Sequence, residues 1–326
     1  MKKIAVVILN WNGAKLLEQF LPSVVAFSNE ATVYVADNAS TDTSIKVIKN
    51  QFPTVKIIQN TRNFGFAKGY NEALKFVEEE YYALVNSDIE VTESWLAPIL
   101  ELFKKEPETA IIQPKLLDFK KKTYFEYAGA AGGFIDRFGY PFCRGRIFGT
   151  IEEDKLQYED EIEIFWATGA CFFIRKKVYH ELKGFDDTFF AHQEEIDLCW
   201  RAFNLGYKTK YTSKSIVYHV GGATLNEGNP RKTFLNFRNS LLMLTKNLPK
   251  RQLIPIIFMR LCLDGLAGIQ FILKGKFKHC WAIIEAHFSF YILINQFYKK
   301  RNSLQKNNYY KINNIVYCYF VKNGKV

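Results

Sequence analysis

Ile4-Ala5-Val6-Val7-Ile8-Leu9 is an unbroken apolar run that stops at Asn10-Trp11-Asn12-Gly13. Six residues are too few for the apolar stretch of a secretory leader, and far too few to cross a bilayer. The turn-forming residues behind the run make it a first β-strand. The same succession of apolar run, turn and helical period recurs over the first hundred residues. It predicts strands at 4–9, 32–36, 55–59 and 82–86, and helices at 14–27, 43–51, 67–80 and 93–105. Alternation at this spacing implies an α/β fold, a doubly wound and mostly parallel sheet flanked by helices.

The strands end in polar residues: Asn10, then Asp37-Asn38, then Asn60 leading to Asn63, then Asn86-Ser87-Asp88. Any one of these alone reads as a helix cap or an Asx-turn. In succession they describe a pocket, because ligands of open parallel sheets bind beyond the carboxyl ends of the strands. No GxGxxG follows the first strand and no GxxxxGK[ST] occurs, which counts against an oxidoreductase and a P-loop enzyme. A nucleotidyltransferase would want a cation in the turn after the first strand, and Asn10 to Gly13 has none. The stretch from Asn63 to Asn71 instead puts Gly65 and Gly69 at the start of a helix, where backbone N–H groups can approach phosphate.

Residues 108–165 are irregular, rich in glycine and aromatics, and read as loops and short strands near a site. Residues 165–175, with Trp166, form another apolar run and a buried strand. His192-Gln193-Glu194-Glu195-Ile196-Asp197 opens a helix over 194–205, and a strand through 216–218 delivers His219. Asp88, at a strand end, suits a hard divalent cation such as Mg²⁺ or Mn²⁺, with His219 as second ligand or as an ordinary hydrogen-bonded histidine. Glu194, Glu195 and Asp197 crowd a helix N-terminus, where the dipole favours negative charge. Three acids beside Leu198, Cys199 and Trp200 exceed what capping requires, and one of them can serve as a general base.

The net charge of +11 is unevenly placed: from Asn226 onward there are 17 Lys and Arg against 3 Asp and Glu, leaving 27 against 30 before it. The chain therefore divides into a sheet-bearing domain, 1–225, and a basic, aromatic, helical C-terminal region, 226–326. Residues 253–273 are apolar over a membrane-like length, but Pro255, Arg260 and Asp264 interrupt them, which argues against a spanning helix. The helices of this region suit either the anionic inner face of a membrane or packing on the sheet. With the acidic balance of the sheet part and no recognisable nucleic-acid module, no nucleic-acid partner is expected. The six cysteines are scattered without a CxxC pair, which fits a reducing, cytoplasmic compartment.

Seven stretches resemble glycosyltransferase family 2, enzymes of the GT-A fold, and especially its bacterial rhamnosyltransferase-like branch. They are residues 6–13, 35–42 and 63–71, Leu84-Val85-Asn86-Ser87-Asp88, Gly184-Phe185-Asp186, residues 194–201, and His219-Val220-Gly221-Gly222. The resemblance implies an inverting, metal-dependent transfer of a hexosyl or deoxyhexosyl group in polysaccharide biosynthesis. The donor would be a dTDP-, UDP- or GDP-linked sugar, and the acceptor a saccharide or lipid-linked saccharide. By the same resemblance Asp37 reads the base, while Asn10, Asn38, Asn63, Gly65, Asn86 and Ser87 line the donor pocket. Asp88 and His219 hold Mg²⁺ or Mn²⁺, and Glu195 is the base. Glu194, Asp197 and Trp166 stand on the acceptor side or in support. The family usually has Asp where Glu195 stands, so Glu194 and Asp197 remain alternatives for the base. An inactive sugar-nucleotide-binding subunit would share most of these features.

Overall fold

A computed structural model of the chain describes residues 2–221 and 228–322. Gly222 and the division expected at 225/226 lie outside them. The parallel core is formed by β1 (Ile4–Asn10), β2 (Ala31–Asp37), β3 (Lys56–Gln59) and β4 (Tyr81–Asn86), in the spatial order β3-β2-β1-β4. The order reverses between β2 and β4 across β1, which opens a crevice at the strands' carboxyl ends. Alternate residues of β1 enter two different cores: Ile4, Val6 and Ile8 join α1 (Ala14–Ala26), α2 (Ser44–Gln51) and α4 (Ala97–Lys105), whereas Ala5 and Val7 join α3 (Gly65–Ala73). Burial on both faces is why β1, β2 and β4 read as continuous apolar runs rather than alternating ones, whereas β3 is the half-exposed edge.

Beyond β4 the sheet becomes mixed. After the short β5 (Ile89–Val91) comes β6 (Thr109–Asp118), then a small antiparallel sheet of β7 (Gly133–Ile135), β8 (Pro141–Cys143), β9 (Arg146–Ile147) and β10 (Thr150–Ile151). β11 (Glu161–Ile164), β12 (Cys171–Arg175) and β13 (Lys208–His219) complete a nine-stranded sheet. In it β12 runs antiparallel between β4 and β6, and β13 runs parallel to β6. The ten-residue strand β6 lies in the segment expected to be irregular. Its polar middle disguised it: Gln113 bonds Gly129 O and Thr168 N, and the buried Lys115 ammonium is paired with Asp154 at 2.9 Å and with Glu159.

The later helices are α5 (Lys176–Glu181), α6 (Glu194–Asn204), α7 (Pro230–Asn247), α8 (Lys250–Leu273), α9 (Phe277–Lys299) and α10 (Ile315–Phe320). Leu241, Leu242, Met243 and Leu244 of α7 belong to the same buried cluster as β1 and α6, so the basic C-terminal region shares the core of the sheet. Among the described residues one helix, α8, is long and apolar enough to cross a membrane by length and composition alone. Arg260 and Asp264 are both buried against the rest of the protein and lie 3.6 Å apart.

Candidate active site

The turns behind β1 and β2 are tied to each other. Asn10 Nδ2 donates to Asp37 Oδ1 (3.0 Å) and to Ser40 Oγ, while Asp37 Oδ2 accepts from the Ser40 N–H (2.9 Å). Asn12 Oδ1 accepts from the Thr41 N–H at 2.7 Å. Asn38 binds in both directions: its Nδ2 donates to Gly65 O, and its Oδ1 accepts from Asn60 Nδ2 at 2.9 Å. Asn10, Asp37 and Asn38 are each no more than 2% exposed. They tie the turns behind β1, β2 and β3 together, and Asn10 keeps its Oδ1 buried without a partner in the protein. Asn63 is exposed, and Asn86 and Ser87 are partly exposed at the end of β4.

The glycine turn before α3 is also differently used. Gly65 has φ +75°, and a Cβ there would lie 2.7 Å from the Phe190 ring, so only glycine fits. Gly65 N–H donates to Asn63 Oδ1, and Phe66 N–H to Phe190 O at 3.1 Å. The first amides of α3 are thus already occupied from within the chain, which corrects the expectation of a phosphate-facing N-terminus.

Asp88 follows β4 and His219 ends β13, and the pairing of β13 with β5 brings them together. His219 Nε2 lies 3.2 Å from Asp88 Oδ1, and its Nδ1 lies 3.1 Å from Glu126 Oε1. All three side chains are buried. Burial lowers the affinity of His219 for a proton, but Glu126 and Asp88 outweigh it and push the imidazole up to about 10. A proton therefore stabilises two carboxylates at a place where a divalent cation could do so. Carboxylate oxygen with imidazole nitrogen is a suitable donor pair for Mg²⁺ or Mn²⁺. Among the described residues no three such side chains surround one cation position. The pair fits a cation whose other ligands are substrate or water.

The second cluster precedes and begins α6. Phe190, His192 and Gln193 have φ of +65°, +69° and +74°, a strained turn for side-chain-bearing residues. His192, Gln193, Glu194 and Glu195 each carry a buried polar atom without a hydrogen-bond partner in the protein. Burial pushes Glu194 well above the usual carboxylate range, helped by the charge of Glu195, and pushes Glu195 itself up to about 7. Glu194 is buried and Glu195 is partly exposed. A Cβ on Gly169 would lie 3.8 Å from the Glu195 carboxyl carbon, and Ala170 O accepts the Asn86 N–H. Glu195 thus stands near the β4 end that leads to Asp88.

Asp197 is held apart from that pair by Arg201 (2.7 Å), Lys246 (2.9 Å) and Asn247 (2.8 Å). Burial raises its pKa, but Arg201 and Lys246 overcome this and hold its carboxyl below the ordinary value. Asp197 is an anchor for the C-terminal helices, which removes it as an alternative base. Trp166 is buried with its indole N–H donated to Phe134 O at 2.8 Å, and it packs on Gly133 inside the core rather than presenting a free donor.

Two residues escaped the reading of the sequence. Glu126 lies in an irregular segment that folds back onto β6, the neighbour of β13, with no local signal. Asn239 of α7 stands in the polar triplet Arg238-Asn239-Ser240, just before the apolar run 241–244, and gave no local signal either. Its Nδ2 lies 3.0, 2.9 and 2.7 Å from the carbonyls of Phe189, Ala191 and His192, clamping the strained turn.

Three similarities bear on this site. An N-acetylglucosaminyl-diphospho-decaprenol L-rhamnosyltransferase from Mycobacterium tuberculosis is 21% identical over 231 residues, covering 66% of this chain and 75% of its own. GalNAc-T7 with UDP, GalNAc and Mn²⁺ superposes with a TM-score of 0.61 at 17% identity, over 77% of this chain and 49% of that one. Staphylococcus aureus TarS with UDP-GlcNAc gives 0.59 at 16% identity, over 92% of this chain and 84% of that one. The sheet and its flanking helices are a GT-A fold. The family model for glycosyl transferase family 2 matches residues 5–183, more than half of the sequence, and the chain belongs to that family.

Proposed function

We propose that the chain is an inverting glycosyltransferase that moves a sugar from a nucleoside diphosphate onto a hydroxyl of a saccharide or lipid-linked saccharide in cell-surface polysaccharide synthesis. The observation that carries this is the carboxyl of Glu195. It is raised to about 7, one oxygen is buried and unpartnered, and it stands beside the end of β4 from which Asp88 extends.

The donor diphosphate lies at the carboxyl ends of β1 and β4, where Asn86 and Ser87 are accessible. Asp88 and His219 would hold Mg²⁺ or Mn²⁺ there, and that ion would neutralise the charge of the leaving diphosphate. Glu126 faces the other nitrogen of His219 and fixes the ring so that Nε2 points to Asp88. Glu195 takes the proton of the acceptor hydroxyl as its oxygen bonds to the anomeric carbon. The bond from that carbon to the phosphate oxygen breaks on the opposite side, and its electrons leave with the nucleoside diphosphate. His192 and Gln193 offer their unpartnered polar atoms to acceptor hydroxyls. Burial, with Lys232 adding to it, lowers His192 to about 4, so this imidazole is neutral at physiological pH and able to accept or donate.

The relative from M. tuberculosis is named for a diphospho-decaprenol acceptor, and this supports a polyprenyl-linked acceptor met at the cytoplasmic face of a membrane. Melting temperatures with UDP-, dTDP- and GDP-sugars, each with and without Mn²⁺, test the reading. A ligand that binds the folded state raises the melting point. One donor class should do so only with the metal, and stabilisation by none of them would overturn the proposal.

A further inference from the structure

Helices α8 and α9 leave one side uncovered. On α8, Ile256, Arg260, Asp264 and Gly268 are buried at four-residue intervals. Arg260 donates to Ser240 of α7, and Gly268 faces Cys280 and Ile283 of α9. Two residues out of phase, and so turned away from that side of the helix, Ile254, Phe258 and Leu266 are exposed, the first by 80%, and Ile269 is exposed as well. The same pattern marks α9. Ala282, Ala286 and Phe290 are buried, while Phe277, Trp281, Phe288 and Ile292 are exposed, the last by 81%.

The charges that interrupt α8 in the sequence do not reach this outer side. Asp264 is fully buried, near Arg260, and His287 Nε2 lies 3.3 Å from its Oδ2. Around the apolar side the charges are cationic: Lys250 and Arg251 at the start of α8, Lys274, Lys276 and Lys278 at the hairpin tip, and Lys299 at the end of α9, all exposed. Among the described residues Glu285 is the one exposed carboxylate on the two helices, and it accepts the Trp281 indole N–H. A cavity of about 650 Å³ at the tip is lined by Arg231, Phe234, Phe277, Lys278 and Trp281, joining two cations to the aromatics, with Glu285 the carboxylate among its lining residues. Arg231 is eight residues before Asn239 on α7, about 12 Å along the helix from the clamp on the base-bearing turn.

We propose that the outer side of the α8–α9 hairpin lies in the interface of an anionic lipid bilayer, with its apolar side chains among the acyl chains and its lysines at the phosphates. An exposed apolar area of this extent marks an interaction surface. The cationic rim selects anionic lipid over a second copy of the chain, which would bring like charges together. The inference stands apart from the transfer chemistry, because it rests on helices that carry none of the groups assigned to it.

Flotation of the full chain with phosphatidylcholine vesicles, with and without phosphatidylglycerol, tests it. The chain should float with the anionic vesicles and weakly with the neutral ones, and brominated acyl chains should quench fluorescence lost in Trp281→Phe. Combined Phe288→Glu and Ile292→Glu should abolish flotation. Combined Lys274→Gln, Lys276→Gln and Lys278→Gln should weaken it roughly a hundredfold. Both variants should keep the wild-type melting temperature and metal-dependent nucleotide binding, since the altered side chains stand in solvent. Flotation unaffected by Phe288→Glu with Ile292→Glu would overturn the proposal. So would a solution dimer that these substitutions dissociate, which would assign the surface to a second copy.

Discussion

The two clusters near the end of β4 are opposites. Around His219, three buried ionisable groups are paired by charge, with the imidazole between the carboxylates of Asp88 and Glu126 at 3.2 and 3.1 Å, although His219 Nδ1 makes no well-directed hydrogen bond. Around Glu195, four consecutive side chains keep buried polar atoms without partners, on a turn with three left-handed non-glycine residues. The first cluster is closed by charge, and under the proposed function a cation would enter it by replacing a proton. The second is held open, at a cost in strain and desolvation, and a substrate hydroxyl would complete it. On that proposal the contrast would separate binding of the leaving group from activation of the nucleophile.

Substitutions should therefore fall into two kinds. Glu195→Gln should lower turnover by roughly a thousandfold while leaving metal-dependent nucleotide binding near wild type, as measured by single-turnover kinetics and calorimetry. Near-normal transfer by this variant would remove Glu195 as the base. Glu126→Gln should act on the other side of the division, weakening Mn²⁺ binding about 10- to 100-fold in a titration with nucleoside diphosphate present. If it altered turnover at saturating Mn²⁺ as much as Glu195→Gln does, the two clusters would not be separate.

Asn239→Ala should lower turnover by about tenfold with little change in the KM for donor. It should also destabilise the fold by about 1–3 kcal/mol, because the carbonyls of the turn lose a buried donor. The smallest effect is on pH dependence. Glu195 must be ionised to accept a proton, so turnover should rise with pH through about 7. Glu194 is held protonated by burial and by the charge of Glu195, so Glu194→Gln should leave that rise in place. For stability the sign is reversed. Carboxyls raised in the folded state contribute most below their unfolded value near 4.3, and that contribution is lost as pH rises through about 7. Glu194→Gln should therefore raise the melting temperature chiefly above neutral pH.

The sequence by itself determined the parallel core and which polar residues stand at its strand ends. The apolar runs of β1, β2 and β4 owe their pattern to burial on both faces, and Asp88, Glu195 and His219 stand at or beside the termini of elements with clear local signals. Local patterns could not tell which polar groups remain free. Asn38 and the amides before α3 look like ligand contacts until Gly65 O, Asn60 and Phe190 O are found occupying them. Only the tertiary structure brought Glu126 to His219 and Asn239 to the turn before Glu195, because both contacts join segments far apart in the chain. It also decided the character of α8, whose Arg260 and Asp264 break an apolar stretch in sequence yet are buried together. Hydrogen bonds and ion pairs satisfy a buried polar group from any distance along the chain, and the sequence does not state which partner arrives.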